Sequence, residues 1–151
     1  MNINDLKNKG RAVKKSQIRG RFRGFRKERL FYLTDGTGWI QKEYKYWYHY
    51  EYNPSITIYE HSDRYYFAID GQSEFVEVKQ AKDISRHTIV SDFNGWNGDS
   101  IFVMENGEVW QQDEYDYEYN YSYRPDATIY NDGWNYRMEV EGCTVQVKRI
   151  K

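Results

Sequence analysis

The sequence predicts an all-β chain made of two tandem copies of one small unit. Three observations indicate this: a repeat with a constant offset of 71 residues, apolar and polar positions that alternate as in strands, and Asp-Gly or Asn-Gly pairs between short apolar runs. By strand count and size, each copy should be a small β-barrel or sandwich, by analogy with Src-homology-3-like barrels. Repeat one should cover residues 13–80, and repeat two should cover residues 84–151.

The repeat becomes visible when residue 18 is placed over residue 89. The two copies then align without a gap for 56 residues, of which 19 are identical. A chance match would not hold one register for so long, so the two copies should share one fold. The identical pairs include Phe22/Phe93, Gly24/Gly95, Trp39/Trp110, Gln41/Gln112, Glu43/Glu114 and Pro54/Pro125.

Each copy has the pattern of a meander of about six short strands. The pairs Asp35-Gly36 and Asn106-Gly107 follow short apolar runs and are typical of hairpin turns. Val13 aligns with Ile84, which indicates a lead-in segment before each copy. A unit of about 60 residues is only marginally stable alone, so we expect the two copies to pack on each other.

The N-terminal end is strongly basic. Residues 1–29 hold 11 Lys/Arg against two acidic residues, a net charge of +9, and the remaining 122 residues hold 11 against 21, a net charge of −10. Residues 1–12 should form a basic segment in which Asn2 to Lys9 are a short helix ending at Gly10. This asymmetry indicates either a nucleic-acid or membrane contact, or a basic end that lies on an acidic body.

Three arginines at alternate positions should form a ridge on the outer face of a strand: Arg19, Arg21 and Arg23. Repeat two has no such ridge, because its equivalent residues are Val90, Asp92 and Asn94. Arginine pairs equally well with carboxylates and with phosphates. The ridge therefore predicts either charge pairing within or between chains, which the sequence favours, or a phosphate-bearing partner.

Five tyrosines alternate strictly in each copy, and we call these runs ladder 1 (Tyr44, Tyr46, Tyr48, Tyr50, Tyr52) and ladder 2 (Tyr115, Tyr117, Tyr119, Tyr121, Tyr123). In a strand, such alternation places all five rings on one face. The simpler interpretation is that this face is core, although five buried hydroxyls would each need a partner. The alternative is a platform on which bases, sugars or a peptide stack. Its candidate binding residues are Tyr46, Tyr48, Tyr50, Tyr117, Tyr119 and Tyr121.

No residue pattern points to catalysis, a metal or a cofactor. The histidines His49, His61 and His87 fit no ligand or triad spacing, and Cys143 is the single cysteine. Glu43 and Glu114 recur in both copies, which favours a scaffold role over an active site. We expect no catalytic residues, no metal, no cofactor and no membrane contact. A cytoplasmic protein is expected because no signal peptide or apolar span is present.

Residues 93–112 resemble a motif of bacterial proteins of unassigned function. The motif is approximately F-x-G-W-x-G-x-x-x-F-x-L-x-N-G-x-x-W-x-Q, followed by alternating tyrosines and Y-R-P. Repeat two matches it with Met104 at the Leu position, whereas repeat one has Phe25, Lys27 and Asp35 in place of Trp, Gly and Asn. The resemblance implies no activity and no binding residues.

These observations predict a non-catalytic interaction module that binds a protein partner or itself. The alternative is a nucleic-acid-binding module that uses the arginine ridge and exposed tyrosines. A remote alternative is a hydrolase that acts through paired carboxylates. Exposed arginines beside exposed rings would favour nucleic acid, whereas arginines covered by carboxylates would favour a protein partner.

Overall fold

The structure is a computed structural model that describes residues 1–151. It contains two compact units, Met1–Gln80 (unit 1) and Ala81–Lys151 (unit 2). Each unit consists of β-strands, with one short helix at the start of unit 1. The predicted fold class, two tandem all-β units, is confirmed.

Unit 1 begins with a helix and continues with eight strands. These elements are α1 (Ile3–Lys9), β1 (Arg11–Gln17), β2 (Arg21–Phe22), β3 (Leu30–Tyr32), β4 (Gly38–Gln41), β5 (Glu51–Tyr52), β6 (Ser55–His61), β7 (Arg64–Ile69) and β8 (Phe75–Gln80). Helix α1 has a capping box between Asn2 and Asp5, and it buries Leu6. No helix in the chain is long and apolar enough to cross a membrane.

Unit 2 has ten strands. They are β9 (Lys82–Thr88), β10 (Asp92–Phe93), β11 (Trp96–Asn97), β12 (Ile101–Val103), β13 (Val109–Gln112), β14 (Tyr117–Glu118), β15 (Ser122–Tyr123), β16 (Asp126–Asn131), β17 (Tyr136–Val140) and β18 (Cys143–Arg149). Strands β1 and β9 are the lead-in segments, and each begins two residues before the boundary expected from Val13 and Ile84.

The main sheets of the two units have the same strand order. In unit 1 the order is β1-β6-β7-β8-β4-β3, and in unit 2 it is β9-β16-β17-β18-β13-β12. The pairing registers also repeat, with an offset of 71 for the strands up to β7 and of 69 for β8 and its equivalent β18. Phe31 lies opposite Trp39 as Phe102 lies opposite Trp110, and the isolated bridge between Phe25 and Trp47 becomes the β11–β14 pair in unit 2.

Each main sheet closes on itself. The outer strands β1 and β3 are joined by a bridge between Ile18 and Leu33, with Arg19 N–H donating to the Tyr32 carbonyl and Thr34 N–H donating to the Gln17 carbonyl, both at 2.9 Å. In unit 2 the equivalent bridge joins Ile89 to Met104. Each unit is therefore a small six-stranded antiparallel barrel.

Each barrel encloses its own aromatic core. In unit 1 the Phe31 and Phe67 rings stack at 4.4 Å, and Phe22 and Phe25 pack edge-on at 5.9 Å. In unit 2 the Trp96 ring packs edge-on against Phe93 and Phe102 at 5.2 and 5.5 Å. These side chains are at most 6% exposed, so aromatic burial supplies much of what a barrel of this size can bury.

Candidate functional site

Both tyrosine ladders lie on the surface. Their ten side chains are between 54% and 91% exposed. The interpretation of the tyrosine face as core is therefore wrong. A long unbroken strand is also absent, because ladder 1 pairs only through Trp47 and through β5, and ladder 2 only through β14 and β15. Several residues between the tyrosines face inward instead, among them Trp47, His49 and Asn120.

In unit 1 the inward residues pack against the barrel end. The Trp47 ring lies 5.0 Å from the Phe25 ring and stacks on His49 at 4.8 Å. Lys45 donates to the Phe75 carbonyl at 2.7 Å, and its ammonium lies 5.2 Å from the Phe75 ring centre. Because each inward residue has a partner, the alternate tyrosines must point to solvent.

Unit 2 reaches the same arrangement with different side chains. In unit 1 the tryptophan of this pair is Trp47 on the ladder, opposite Phe25. In unit 2 the tryptophan is Trp96 on the adjacent strand, and it lies opposite Glu118 on the ladder. Asn120 also turns inward, and its amide donates to the Cys143 sulfur at 3.1 Å. The tyrosines of ladder 2 are therefore exposed because Trp96 of the adjacent strand β11 fills the core, even though the inward residues of ladder 2 itself are polar.

A buried glutamine holds the start of each ladder. The Gln41 amide donates to the carbonyls of Glu43 (3.0 Å) and Lys45 (2.7 Å), and its oxygen accepts from the Arg26 N–H (2.7 Å). Gln112 makes the same contacts to Glu114 and Asp116, at 3.0 and 2.8 Å. One amide group thus joins the ladder to the strand beside it in both units.

Glycine permits the close approach of that neighbouring strand. Gly24 has φ +94° and Gly95 has φ +89°, both in the left-handed region. A Cβ on Gly24 would overlap the Trp47 carbonyl, and a Cβ on Gly95 would overlap the Glu118 carbonyl. Only glycine therefore fits at these two positions, because any side chain would overlap the carbonyl of the ladder.

The segment beside ladder 1 is basic. We call it the basic flank: Arg19, Arg21, Arg23, Arg26, Lys27 and Arg29. Arg21 lies directly opposite Tyr52 in the β2–β5 pair. Arg19 and Arg21 are exposed and make no ion pair or side-chain hydrogen bond within unit 1.

Three residues of the basic flank and three of ladder 1 line one cleft of about 370 Å³. Its lining is Arg23, Arg26, Arg29, Tyr46, Tyr48 and Tyr50. The cleft thus combines guanidinium groups, which match phosphate or carboxylate geometry, with exposed aromatic faces.

The segment beside ladder 2 has no positive charge. At the six positions equivalent to the basic flank, unit 2 has Val90, Asp92, Asn94, Asn97, Gly98 and Ser100. Asp92 accepts a hydrogen bond from the Tyr121 hydroxyl at 3.3 Å, and the charge of its carboxylate raises the pKa of Tyr121. Unit 1 carries 15 Lys/Arg against 10 Asp/Glu, net +5, whereas unit 2 carries 7 against 13, net −6.

The structure brings together only some of the predicted binding residues. Arg23 joins Tyr46, Tyr48 and Tyr50 in the cleft, whereas Arg19 and Arg21 lie outside its lining. Tyr117, Tyr119 and Tyr121 are exposed in unit 2 without a basic neighbour strand. Arg26 and Arg29, which flank the predicted ridge in the sequence, also line the cleft. Their place there follows from the turn at Gly24, a residue identical in both copies.

The recurring carboxylates have scaffold roles. Glu43 accepts from the Glu77 N–H, and Glu114 accepts from the Gln146 N–H, both at 2.8 Å. Each therefore fastens the beginning of a ladder to the barrel, as its recurrence in both copies predicts. No group of three or more His, Cys, Asp or Glu side chains is arranged to hold a metal ion.

Comparison with known proteins does not add a family. No family model, no curated protein and no solved structure matches the chain.

Proposed function

We propose that unit 1 is a non-catalytic module that binds single-stranded nucleic acid through ladder 1 and the basic flank. The observation that carries this proposal is the cleft shared by Arg23, Arg26 and Arg29 with Tyr46, Tyr48 and Tyr50. Arginines that lie beside exposed rings favour a nucleic-acid surface over a purely protein-binding one. Such a function is consistent with the cytoplasmic location expected from the sequence.

The spacing of the tyrosines suits planar bases. Alternate residues of an extended chain lie about 6.6 Å apart, since each residue rises about 3.3 Å. Stacked bases rise about 3.4 Å each, so the space between two successive rings is that of one inserted base. The rings of ladder 1 do not contact one another, which leaves these spaces open.

The ligand should be single-stranded because stacking requires a free base face. In a duplex both faces of each base are covered by neighbouring base pairs, whereas a single strand can turn its bases onto aromatic side chains. The arginines would contact the phosphates and contribute affinity without base preference. The module should therefore bind many sequences with similar affinity.

The test is the salt dependence of oligonucleotide binding. If each of the five arginines of the basic flank contacts one phosphate, a plot of log affinity against log salt concentration should have a slope of about −3 to −4. This follows from about −0.7 per phosphate on a single strand. Changing Arg19, Arg21 and Arg23 together to Gln should flatten the slope by about 2. Absence of binding even at roughly 50 mM salt would refute the proposal.

A matched pair of tyrosines separates stacking from charge. Tyr48→Ala should lower the affinity about 5- to 150-fold, the equivalent of about 1–3 kcal/mol for one stacked base, and leave the slope unchanged. Tyr119→Ala changes the equivalent ring of ladder 2, which has no basic flank, and should leave oligonucleotide affinity unchanged. Equal losses in the two variants would contradict the assignment to unit 1.

A further inference from the structure

Ladder 2 presents the same aromatic face as ladder 1 with the opposite charge beside it. Its five tyrosines are exposed, the adjacent strand carries Asp92 opposite Tyr123, and Asp116 stands between Tyr115 and Tyr117. Unit 1 has Arg21 and Lys45 at the positions of the two aspartates. A phosphate backbone would be repelled here, so the surface needs a different ligand from the one proposed for unit 1.

The chemistry of ladder 2 selects a cationic chain. A tyrosine face attracts guanidinium and ammonium groups through its ring electrons. A carboxylate beside the ring adds a charge-assisted hydrogen bond to the same group. The Tyr121 hydroxyl bonded to Asp92 already places ring and carboxylate together, so an extended segment rich in arginine would meet both at once.

The chain itself supplies such a segment. Residues 1–29 hold 11 Lys/Arg against two acidic residues, and the exposed side chains of Arg19 and Arg21 have no ion-pair partner. We propose that ladder 2 and its aspartates bind the basic flank of a second copy of this chain. The net charges of the two units, +5 and −6, are complementary for this contact.

The contact joins two different surfaces, so the association is head-to-tail. A dimer formed in this way keeps one unoccupied basic flank and one unoccupied ladder 2. Further chains can add until a ring closes, and the mean mass should rise with protein concentration. A single-stranded oligonucleotide would compete for the basic flank and dissociate the assembly; this last point alone rests on the proposed function of unit 1.

Two charge-reversed variants of the full chain test the contact. The first, Arg19→Glu with Arg21→Asp, reverses two charges of the basic flank and keeps ladder 2 intact. The second, Asp92→Arg with Asp116→Lys, introduces the residue types that unit 1 has at the equivalent positions, Arg21 and Lys45. It keeps the basic flank intact. Sedimentation velocity should be run on each variant alone, on their equimolar mixture and on the wild type, at roughly 50 mM and 500 mM salt.

The wild type should associate at low salt and dissociate at high salt. Each variant alone should be monomeric, and the mixture should form a complex of one copy of each, because each variant supplies the surface that the other lacks. A wild type that stays monomeric at low salt would overturn the proposal. So would a wild-type dimer accompanied by a mixture that stays monomeric, since the contact would then use other surfaces.

Two controls keep this result separate from the nucleic-acid test. Circular dichroism and thermal unfolding should match the wild type, and Asp92→Asn with Asp116→Asn is the milder substitute if a reversed variant fails to fold; it should weaken association without abolishing it. The second variant should still bind oligonucleotides. Loss of oligonucleotide binding in all proteins, with the mixed complex intact, would refute only the proposed function.

Discussion

Alanine at Gly24 tests how ladder 1 is held against its neighbouring strand. The substitution has two costs: the φ of +94° is unfavourable for a residue with a side chain, by about 1–2 kcal/mol, and the new Cβ overlaps the Trp47 carbonyl. Relief of that overlap would lengthen the hydrogen bonds between Phe25 and Trp47, which are 2.7 and 3.1 Å in the native barrel.

The magnitude follows from adding these costs. Overpacking against rigid backbone costs about 1–3 kcal/mol, and each weakened hydrogen bond costs about 0.5–1.5 kcal/mol. Together these costs come to about 3–8 kcal/mol, so Gly24→Ala should lower the free energy of unfolding by at least about 3 kcal/mol. Gly36→Ala is the matched control, because Gly36 has φ +85° and no atom within 4 Å of the new Cβ; its cost should be about 1 kcal/mol.

Urea denaturation followed by tryptophan fluorescence measures both variants. The expected result is a much lower midpoint for Gly24→Ala at an unchanged slope, and a small shift for Gly36→Ala. The same comparison can be made in unit 2. Gly95→Ala would place a Cβ against the Glu118 carbonyl, whereas Gly107→Ala would place one in open space. If Gly24→Ala costs no more than Gly36→Ala, the close approach of the two segments is not what holds the ladder, and the reasoning fails.

Three further results are expected. Gln41→Ala should cost about 2–4 kcal/mol of unfolding free energy, because it leaves buried backbone groups unpaired, whereas Gln17→Ala on exposed β1 should cost almost nothing; urea denaturation compares them. Tyr48→Ala and Tyr119→Ala should each change stability by less than about 0.5 kcal/mol in the same assay, and a loss of about 3–5 kcal/mol would mean that the rings are buried. Burial raises the pKa of Tyr130, so above pH ~10 the unfolded chain loses this proton while the folded chain keeps it, and stability falls by up to about 1.4 kcal/mol per pH unit. Tyr130→Phe should remove that part of the alkaline loss in unfolding curves recorded from pH 8 to pH 11, and an identical pH dependence in both proteins would contradict the assignment.

The sequence predicted the barrels well because their determinants are local. Asp35-Gly36 and Asn106-Gly107 lie at hairpin turns between paired strands, and the offset of 71 residues carries the pairing of β3 with β4 and of β6 with β7 from one unit to the other. Turn chemistry and apolar alternation act over a few residues, and duplication provides an internal check on each assignment. The fold could therefore be predicted without knowledge of distant contacts.

The orientation of the ladders could not be predicted in the same way. Alternation shows that five rings share a face, but it does not show which face is buried. Hydropathy pointed in the wrong direction in unit 2, where polar Asn120 turns inward and the tyrosines turn outward. The outcome depends on contacts distant in sequence: Trp96 paired with Glu118 of the ladder segment, and Gly95 against the Glu118 carbonyl.

Closure of each sheet limits how these aromatic surfaces can interact. With β1 and β3 joined at Ile18 and Leu33, little backbone remains to which another chain could add a strand, and the outer strand β1 itself carries Arg11, Lys14 and Lys15. Edge cations of this kind oppose growth of a continuous sheet. The chain can thus display ten exposed tyrosines with little risk of amyloid-like polymerisation, and any assembly it forms should be reversible and should not bind dyes specific for cross-β fibres.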